Sequence, residues 1–400
     1  MADRTPWLTI VGIGEDGFAA LPPVSQAALA NATLIVGAPR QLALLPALAG
    51  ETQAWPVPFE AGVAHLLERR GTPVVMLASG DPFWFGAGGT LARHLQPDEW
   101  VAHPAPSTFA HAAARLGWRI EETLCLGLHA APLTRLRPHL APGTRAIVLL
   151  RDGAAVVATA RYLDEQGFGA SRLTVLEALG GGRERIRSAV AAALPFDDIA
   201  HPVALAVEIA GDGRVLSRAS GVADDWFAHD GQLTKRPARA LTLSALAPRA
   251  GETLWDIGAG SGSITIEWLL AHTTTSAIAF ERDAVRAARI RRNADTLGVD
   301  RLTIVHGDAL SMLADRPPPD AVFIGGGLSD ALLDTLFARL PPGTRLVANA
   351  VTLESEALLA RCHAARGGHL LRIELSEAAP IGSRRGWRAA YPLVQWSVTL

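Results

Sequence analysis

Short apolar runs alternate with Ala-rich helical stretches along the first half of the chain. Leu8-Thr-Ile-Val-Gly reads as a strand running into a glycine loop, Pro23 to Asn31 as a helix, and Thr33-Leu-Ile-Val-Gly as a second strand. Pro73-Val-Val-Met-Leu-Ala is a third strand, ended by the turn signal Ser79-Gly-Asp-Pro. Further strands fall at Arg145-Ala-Ile-Val-Leu-Leu, Leu173-Thr-Val-Leu-Glu and His201-Pro-Val-Ala-Leu-Ala-Val-Glu. The pattern lapses into Gly, Asp and Ser between Ala210 and Asp230, and then resumes. Its second series of strands is Thr253-Leu-Trp-Asp-Ile, Ser276-Ala-Ile-Ala-Phe-Glu, Leu302-Thr-Ile-Val, Asp320-Ala-Val-Phe-Ile and Arg345-Leu-Val-Ala-Asn, with helices such as Asp283 to Thr296 and Asp330 to Leu340 between them. Strand–helix alternation predicts α/β layers, and the second series a doubly wound, mostly parallel sheet. The expected organisation is a domain over 1–210, a linker over 211–229 and a different α/β domain over 230–400.

Composition narrows the classes. A chain of 400 residues exceeds what one core usually organises, and 49% apolar content suits α/β enzymes. Cys125 and Cys362 lie far apart with no metal-ligand spacing, and the histidines show none either, so neither a disulfide framework nor a metal is expected. Met1-Ala-Asp-Arg-Thr-Pro-Trp lacks a secretion-signal pattern and no apolar run reaches membrane-span length, which together with the cysteines points to the cytoplasm and away from a membrane. A formal net charge of −2 offers no basic surface for nucleic acid. Lys235 is the only lysine in an arginine-rich chain.

The second series carries the clearer chemistry. Trp255-Asp-Ile-Gly-Ala-Gly-Ser-Gly places Gly258, Gly260 and Gly262 between a strand and the helix from Ser263 to Leu270. That is the carboxyl edge of a parallel sheet, where such folds bind ligands, and glycine lets backbone approach one closely. Asp256 at the mouth of the loop would repel a pyrophosphate but attract the ammonium and sulfonium of S-adenosylmethionine. Glu281 ends the next strand, placed to accept ribose hydroxyls, and Gly307-Asp308-Ala309 follows the third, where the adenine edge would lie.

In the first series, Gly12-Ile-Gly-Glu-Asp-Gly17 matches a nicotinamide-cofactor fingerprint, yet the second strand ends at Gly37-Ala-Pro-Arg40 with no acid for a ribose, and Glu15 and Asp16 would repel a pyrophosphate. Ala78-Ser-Gly-Asp-Pro-Phe-Trp-Phe-Gly combines a turn, a carboxylate and aromatics at a strand end. Pro104-Ala-Pro-Ser-Thr-Phe enters a helix with Ser107 or Thr108 placed to cap it.

Two family resemblances follow from these segments. Gly231-Gln-Leu-Thr-Lys-Arg, the Leu254 to Trp268 glycine motif, Val322-Phe-Ile-Gly-Gly-Gly and Leu346-Val-Ala-Asn-Ala-Val-Thr-Leu-Glu-Ser-Glu resemble the decarboxylating precorrin methyltransferases. That resemblance implies contacts to the cofactor from Thr234, the loop Gly258-Ala259-Gly260-Ser261-Gly262, Glu281 and Ala309. The segments of the first series, with Cys125-Leu-Gly-Leu-His and Val175-Leu-Glu-Ala-Leu-Gly-Gly, resemble the tetrapyrrole methylase family, in its cobalamin-pathway branch that methylates C-5. It implies that Gly80, Asp81, Ser107, Thr108 and Leu179 lie near the cofactor, and that the loop with Gly12 and Gly14 helps form the substrate trough. Ala178-Leu179 stands where relatives often have Asn-Leu.

Fused in this order, the halves imply a bifunctional methyltransferase of the cobalamin pathway. Two S-adenosylmethionine sites per chain would methylate reduced precorrin-6 at C-5 and C-15, with loss of the C-12 acetate as carbon dioxide, to give precorrin-8. The families also imply a homo-oligomer. A polycarboxylate corrin precursor calls for arginines, so Arg384, Arg385 and Arg388 are the first substrate candidates and Lys235 a flexible anchor. Glu267 and Asn349 are candidates to orient substrate or relay a proton, with core or cap roles as the other reading. Other readings of the whole are an RNA or protein methyltransferase and a tetrapyrrole carrier or sensor without turnover.

Overall fold

The computed structural model describes residues 6–400, so most of the opening segment read above for a leader lies outside the described residues. The chain divides into two compact units, one of residues 1–131 and 140–214, the other of 132–139 and 215–400.

The first unit contains two five-stranded sheets. One is built from β1 (Leu8–Ile13), β2 (Leu34–Gly37), β3 (Glu51–Ala54), β4 (Val74–Ser79) and β5 (Trp100–His103), in the order β3-β2-β4-β1-β5. All its pairings are parallel. β1, β2 and β4 are almost wholly buried, as expected of parallel strands covered on both faces. The other sheet is β6 (Leu124–Gly127), β7 (Arg145–Leu150), β8 (Arg172–Glu177), β9 (Arg185–Val190) and β10 (Val203–Glu208), ordered β6-β7-β10-β8-β9. Only β6 and β7 run parallel; the remaining pairs are antiparallel. β3, β5, β6 and β9 escape the sequence pattern because they are short or exposed, with fewer apolar positions to declare them.

The second unit holds a seven-stranded sheet. Its strands are β11 (Thr253–Ile257), β12 (Ser276–Glu281), β13 (Leu302–His306), β14 (Ala321–Ile324), β15 (Arg345–Ala350), β16 (His369–Ile373) and β19 (Leu393–Thr399), ordered β13-β12-β11-β14-β15-β19-β16. Pairing is parallel through β15; β19 then joins antiparallel to β15, and β16 antiparallel to β19. β17 (Ser376–Ile381) and β18 (Arg384–Ala389) form a separate two-stranded hairpin. The parallel order reverses between β11 and β14, so the loops after these strands open a crevice at the carboxyl edge.

The segment read as a linker is instead packed. Leu216, Val222 and Phe227 are buried in the core cluster that contains Leu254, Trp268 and Ile290 of the second unit. Its turn-forming residues suggested a tether, but three apolar side chains at wide spacing suffice to dock it. No described helix is long and apolar enough to cross a membrane.

Candidate functional site

In the second unit β11 delivers the glycine loop. The N–H groups of Gly258 and Ala259 both donate to Phe280 O, and Gly262 N–H donates to Ala259 O, closing a turn ahead of the helix Ser263–Ala271. Gly258, Gly260 and Gly262 all have φ between +60° and +76°, a region L side chains avoid. Their surroundings differ. A Cβ on Gly258 would lie 2.7 Å from the backbone of Gly326, and one on Gly262 2.7 Å from Ile290. A Cβ on Gly260 would meet nothing, so its open side is where a ligand can approach. Gly326, in the loop after β14, is thus the partner that demands glycine at 258, a role that single-loop reasoning misses.

Glu281 ends β12 and is almost wholly buried. Its Oε2 accepts from Gly260 N–H at 2.8 Å and its Oε1 from Asp283 N–H at 3.0 Å. A carboxylate has about four lone-pair positions, so acceptor capacity remains for a vicinal diol. Asp308 caps the short helix Ala309–Met312 by accepting from Ser311 N–H, which sets Ala309 at the end of the third strand. These residues fit S-adenosylmethionine: an open backbone cradle, a carboxylate one strand over, and a capped turn beyond it.

Asp256 is placed differently from the expectation. It is fully buried beneath the loop, not at its mouth. Oδ2 accepts from Thr265 Oγ1 at 2.5 Å, while Oδ1 is buried with no hydrogen-bond partner. Burial pushes this carboxyl up to about 7, against the Thr265 hydrogen bonds and helped by the nearby Glu281 charge. The pH consequence has a definite sign. Between the ordinary carboxyl range and about 7 the folded chain holds a proton that the unfolded chain has released, so stability falls as pH rises through that window and levels above it. Asp256→Asn removes the titration, so its stability relative to the unchanged protein should improve from pH 5 to pH 8 by on the order of a few kcal/mol, read as a rise in its relative melting temperature. Parallel melting curves would refute a titrating Asp256.

Several substrate candidates are already engaged. Both oxygens of Glu267 are taken, by Gly221 N–H, Val222 N–H and the guanidinium of Arg239, and Arg239 is itself fully buried. Glu267 is a structural tether, not a free substrate ligand. Asn349 donates to Thr242 Oγ1 and accepts from Gln395 Nε2, a network that joins β15, β19 and the helix Arg236–Leu246. Thr234 offers its carbonyl to Arg239, and Lys235 stands exposed, 3.9 Å from Asp224. Arg384, Arg385 and Arg388 lie exposed on the β17–β18 hairpin, outside the sheet whose strand ends carry the glycine loop. Asn293 was missed: it bonds Ala228 N–H and donates to the carbonyls of Ala228 and Ser261, fixing the loop to the segment before it. Its position on the buried side of an Arg-rich helix was the available signal.

In the first unit a cleft of about 480 Å³ brings together Gly14, Gly80, Ser107, Thr108 and Leu179. Ser107 provides the cap, accepting from Ala110 N–H at 3.1 Å. Leu179 is held by a turn in which Gly180 N–H donates to Glu184, itself paired with Arg115. Ala178 adopts φ +45°, in the left-handed region that L side chains other than Asn and Asp rarely enter. Gly12 and Asp81 do other work. A Cβ on Gly12 would fall 1.9 Å from Gly80 O and 2.6 Å from Ala105 N, so packing of three strand ends requires glycine there. Asp81 accepts from Phe83 N–H and closes the turn. That turn presents Trp84 and Phe85 to the cleft, with Trp84 4.9 Å from Phe109. The cleft thus has aromatic walls beside a backbone-lined end.

Residues 7–195 match the family model of Tetrapyrrole (Corrin/Porphyrin) Methylases, and residues 225–400 that of the Precorrin methyltransferase domain. The chain is 50% identical over 400 residues to a Sinorhizobium sp protein named precorrin-6Y C(5,15)-methyltransferase [decarboxylating], covering 99% of this chain and 97% of that one. A Salmonella typhimurium protein named cobalt-precorrin-6B C(15)-methyltransferase (decarboxylating) is 30% identical over 167 residues, 40% of this chain and 85% of that protein. Among solved structures, the C-terminal domain of precorrin-6Y C5,15-methyltransferase from Rhodobacter capsulatus is 55% identical, covers 46% of this chain and 100% of its own, and superposes with a TM-score of 0.45.

Proposed function

This chain belongs to the family of decarboxylating precorrin-6Y C5,15-methyltransferases, and from that premise we propose that each unit holds its own S-adenosylmethionine and performs one methyl transfer. The protein is an S-adenosylmethionine-dependent C-methyltransferase of cobalamin biosynthesis. We assign C-5 to the first unit, and C-15 with loss of the C-12 acetate to the second, giving precorrin-8. The Salmonella relative supports this division, since a protein named for C-15 methylation and decarboxylation corresponds to only 40% of the chain. The observation that carries the two-site reading is that each unit has its own strand-end cradle: Gly80, Ser107 and Thr108 line the first cleft, and Gly260 faces open space in the second.

Bound in these cradles, S-adenosylmethionine supplies an activated methyl group. The chain's residues supply position. In the second unit Glu281 accepts the ribose hydroxyls through the capacity that Gly260 and Asp283 leave, and Gly260 lets the backbone come close. In the first, Gly80, Ser107, Thr108 and Leu179 line the donor end while Trp84, Phe85 and Phe109 offer flat apolar faces to a macrocycle. A meso carbon of the conjugated ring is already electron-rich, so alignment and exclusion of water account for most of the acceleration required. The electrons of the broken carboxyl bond pass into the ring's own conjugation, the freed methylene takes up a proton to become a methyl, each methylated meso carbon releases one, and no acid–base pair is assigned. Calorimetry with S-adenosylhomocysteine should find two molecules bound per chain, and turnover of precorrin-6Y should add two methyls and release one carbon dioxide. One bound molecule, with one unit indifferent to it, would sink the two-site reading.

A further inference from the structure

We propose that Arg40 anchors a carboxylate of the tetrapyrrole in the first unit's cleft, and that Glu15 and Ser79 are positioning residues that hold its guanidinium for that task. The inference rests on the reading that this cleft takes the macrocycle.

Arg40 follows β2 at the start of a short helix and lines the cleft, with its side chain 27% exposed. One terminal nitrogen is paired with Glu15; the other donates to Ser79 Oγ at 2.9 Å. Ser79 is fixed in turn by Gln41, whose Nε2 donates to the same oxygen at 3.0 Å. A guanidinium carries five donors, and these two contacts leave the rest of the fork available. Glu15 is nearly buried and is held from its other oxygen by Arg183 at 3.0 Å. The glycine turn that carries Arg183 is packed on Glu15 itself, since a Cβ on Gly181 would fall 2.6 Å from Glu15 Cβ. One carboxylate between two guanidiniums leaves this wall with a net positive charge.

Charge across the whole cleft points the same way. Glu15 is the only acid among the described lining residues, against the guanidiniums of Arg40 and Arg151, the latter paired with Asp152 outside the lining. A cationic sulfonium donor gains nothing from such a wall; a substrate bearing several carboxylates does. Planar bidentate pairing favours arginine over lysine at a fixed anchor. Burial and the neighbouring Arg183 lower the Arg40 guanidinium from its ordinary value, so an added anion would relieve an existing electrostatic cost.

The test uses the full chain with Arg40→Gln, Arg40→Lys and Ser79→Ala, following each methylation by product mass. A hydrogen-bonded charge pair is worth about 1.5–3 kcal/mol, so Arg40→Gln should raise the KM for precorrin-6Y at the first unit roughly 10- to 100-fold. Its kcat, the KM for the donor and the second unit's methylation should stay within about twofold. Arg40→Lys should recover part of the loss, and Ser79→Ala should raise the same KM by a smaller factor. An unchanged precorrin KM in Arg40→Gln, or a rise in the donor KM instead, overturns the assignment while leaving the two-site reading intact. Failure of the unchanged first unit to bind donor or to methylate at all would overturn that reading, and the anchor with it.

Discussion

Gly258→Ala is expected to stop the methyl transfer and decarboxylation proposed for the second unit while the methyl transfer proposed for the first continues. The added methyl would stand 2.7 Å from the backbone of Gly326, a neighbour that cannot rotate aside, and the residue would be locked at φ +70°. Alanine in the left-handed region costs about 1–2 kcal/mol by itself. The larger effect is displacement: β11 and β14 deliver their loops to one point, and separating them moves the cradle relative to Glu281. Misplacement by about 1 Å costs on the order of 100-fold in rate, so kcat/KM for the second step should fall by roughly that factor or more. Product mass reads this directly, as a corrin that has gained one methyl and kept its carboxyl groups. Gly260→Ala makes the comparison, because its Cβ enters open space and would obstruct the donor without parting the loops. It should raise the donor KM, with a loss of melting temperature limited to the roughly 2–8 °C that the left-handed backbone alone costs alanine. Unaltered double methylation in Gly258→Ala would show that the cradle lies elsewhere.

The second large effect concerns stability. Arg239 is fully buried, donates to Glu267 and to the carbonyls of Val222 and Thr234, and reaches Asp224 at 3.1 Å. Glu267 in turn holds the N–H groups of Gly221 and Val222. This pair therefore fastens the segment entering the second unit to the helix that follows the glycine loop. Arg239→Met leaves the Glu267 charge buried and uncompensated, which costs about 3–5 kcal/mol. For a unit of this size that corresponds to a fall in melting temperature of roughly 6–20 °C. Arg239→Met combined with Glu267→Leu removes both charges and should recover part of the loss. Circular dichroism melting of the full chain measures both. A shift of less than about 1 kcal/mol for Arg239→Met would mean the pair contributes little.

Much of this protein is legible without coordinates. The alternation of buried strands and helices, the glycine loop after β11, the capped turn at Ser107 and the family resemblance all come from residues close together in the chain, because backbone conformation and strand burial depend on local pattern. What folding alone decided is the partner of each polar group. Glu267 meets Gly221 across 46 positions, and Asn349 meets Thr242 across 107, so nothing nearby announces that their capacity is used. Asp256 seemed a mouth residue from its place beside the loop, yet a strand sends alternate side chains to opposite faces, and this one points under the loop into the core. Arg384, Arg385 and Arg388 were attractive by charge, but the hairpin they occupy forms a sheet of its own. Arg40 was noted only as the place of a missing acid, for the converse reason: the role proposed for it comes from Glu15, Ser79 and Arg183, brought to it from two loops and the end of β4. Local sequence sets where the backbone turns, and tertiary packing sets which charges remain free to meet a ligand.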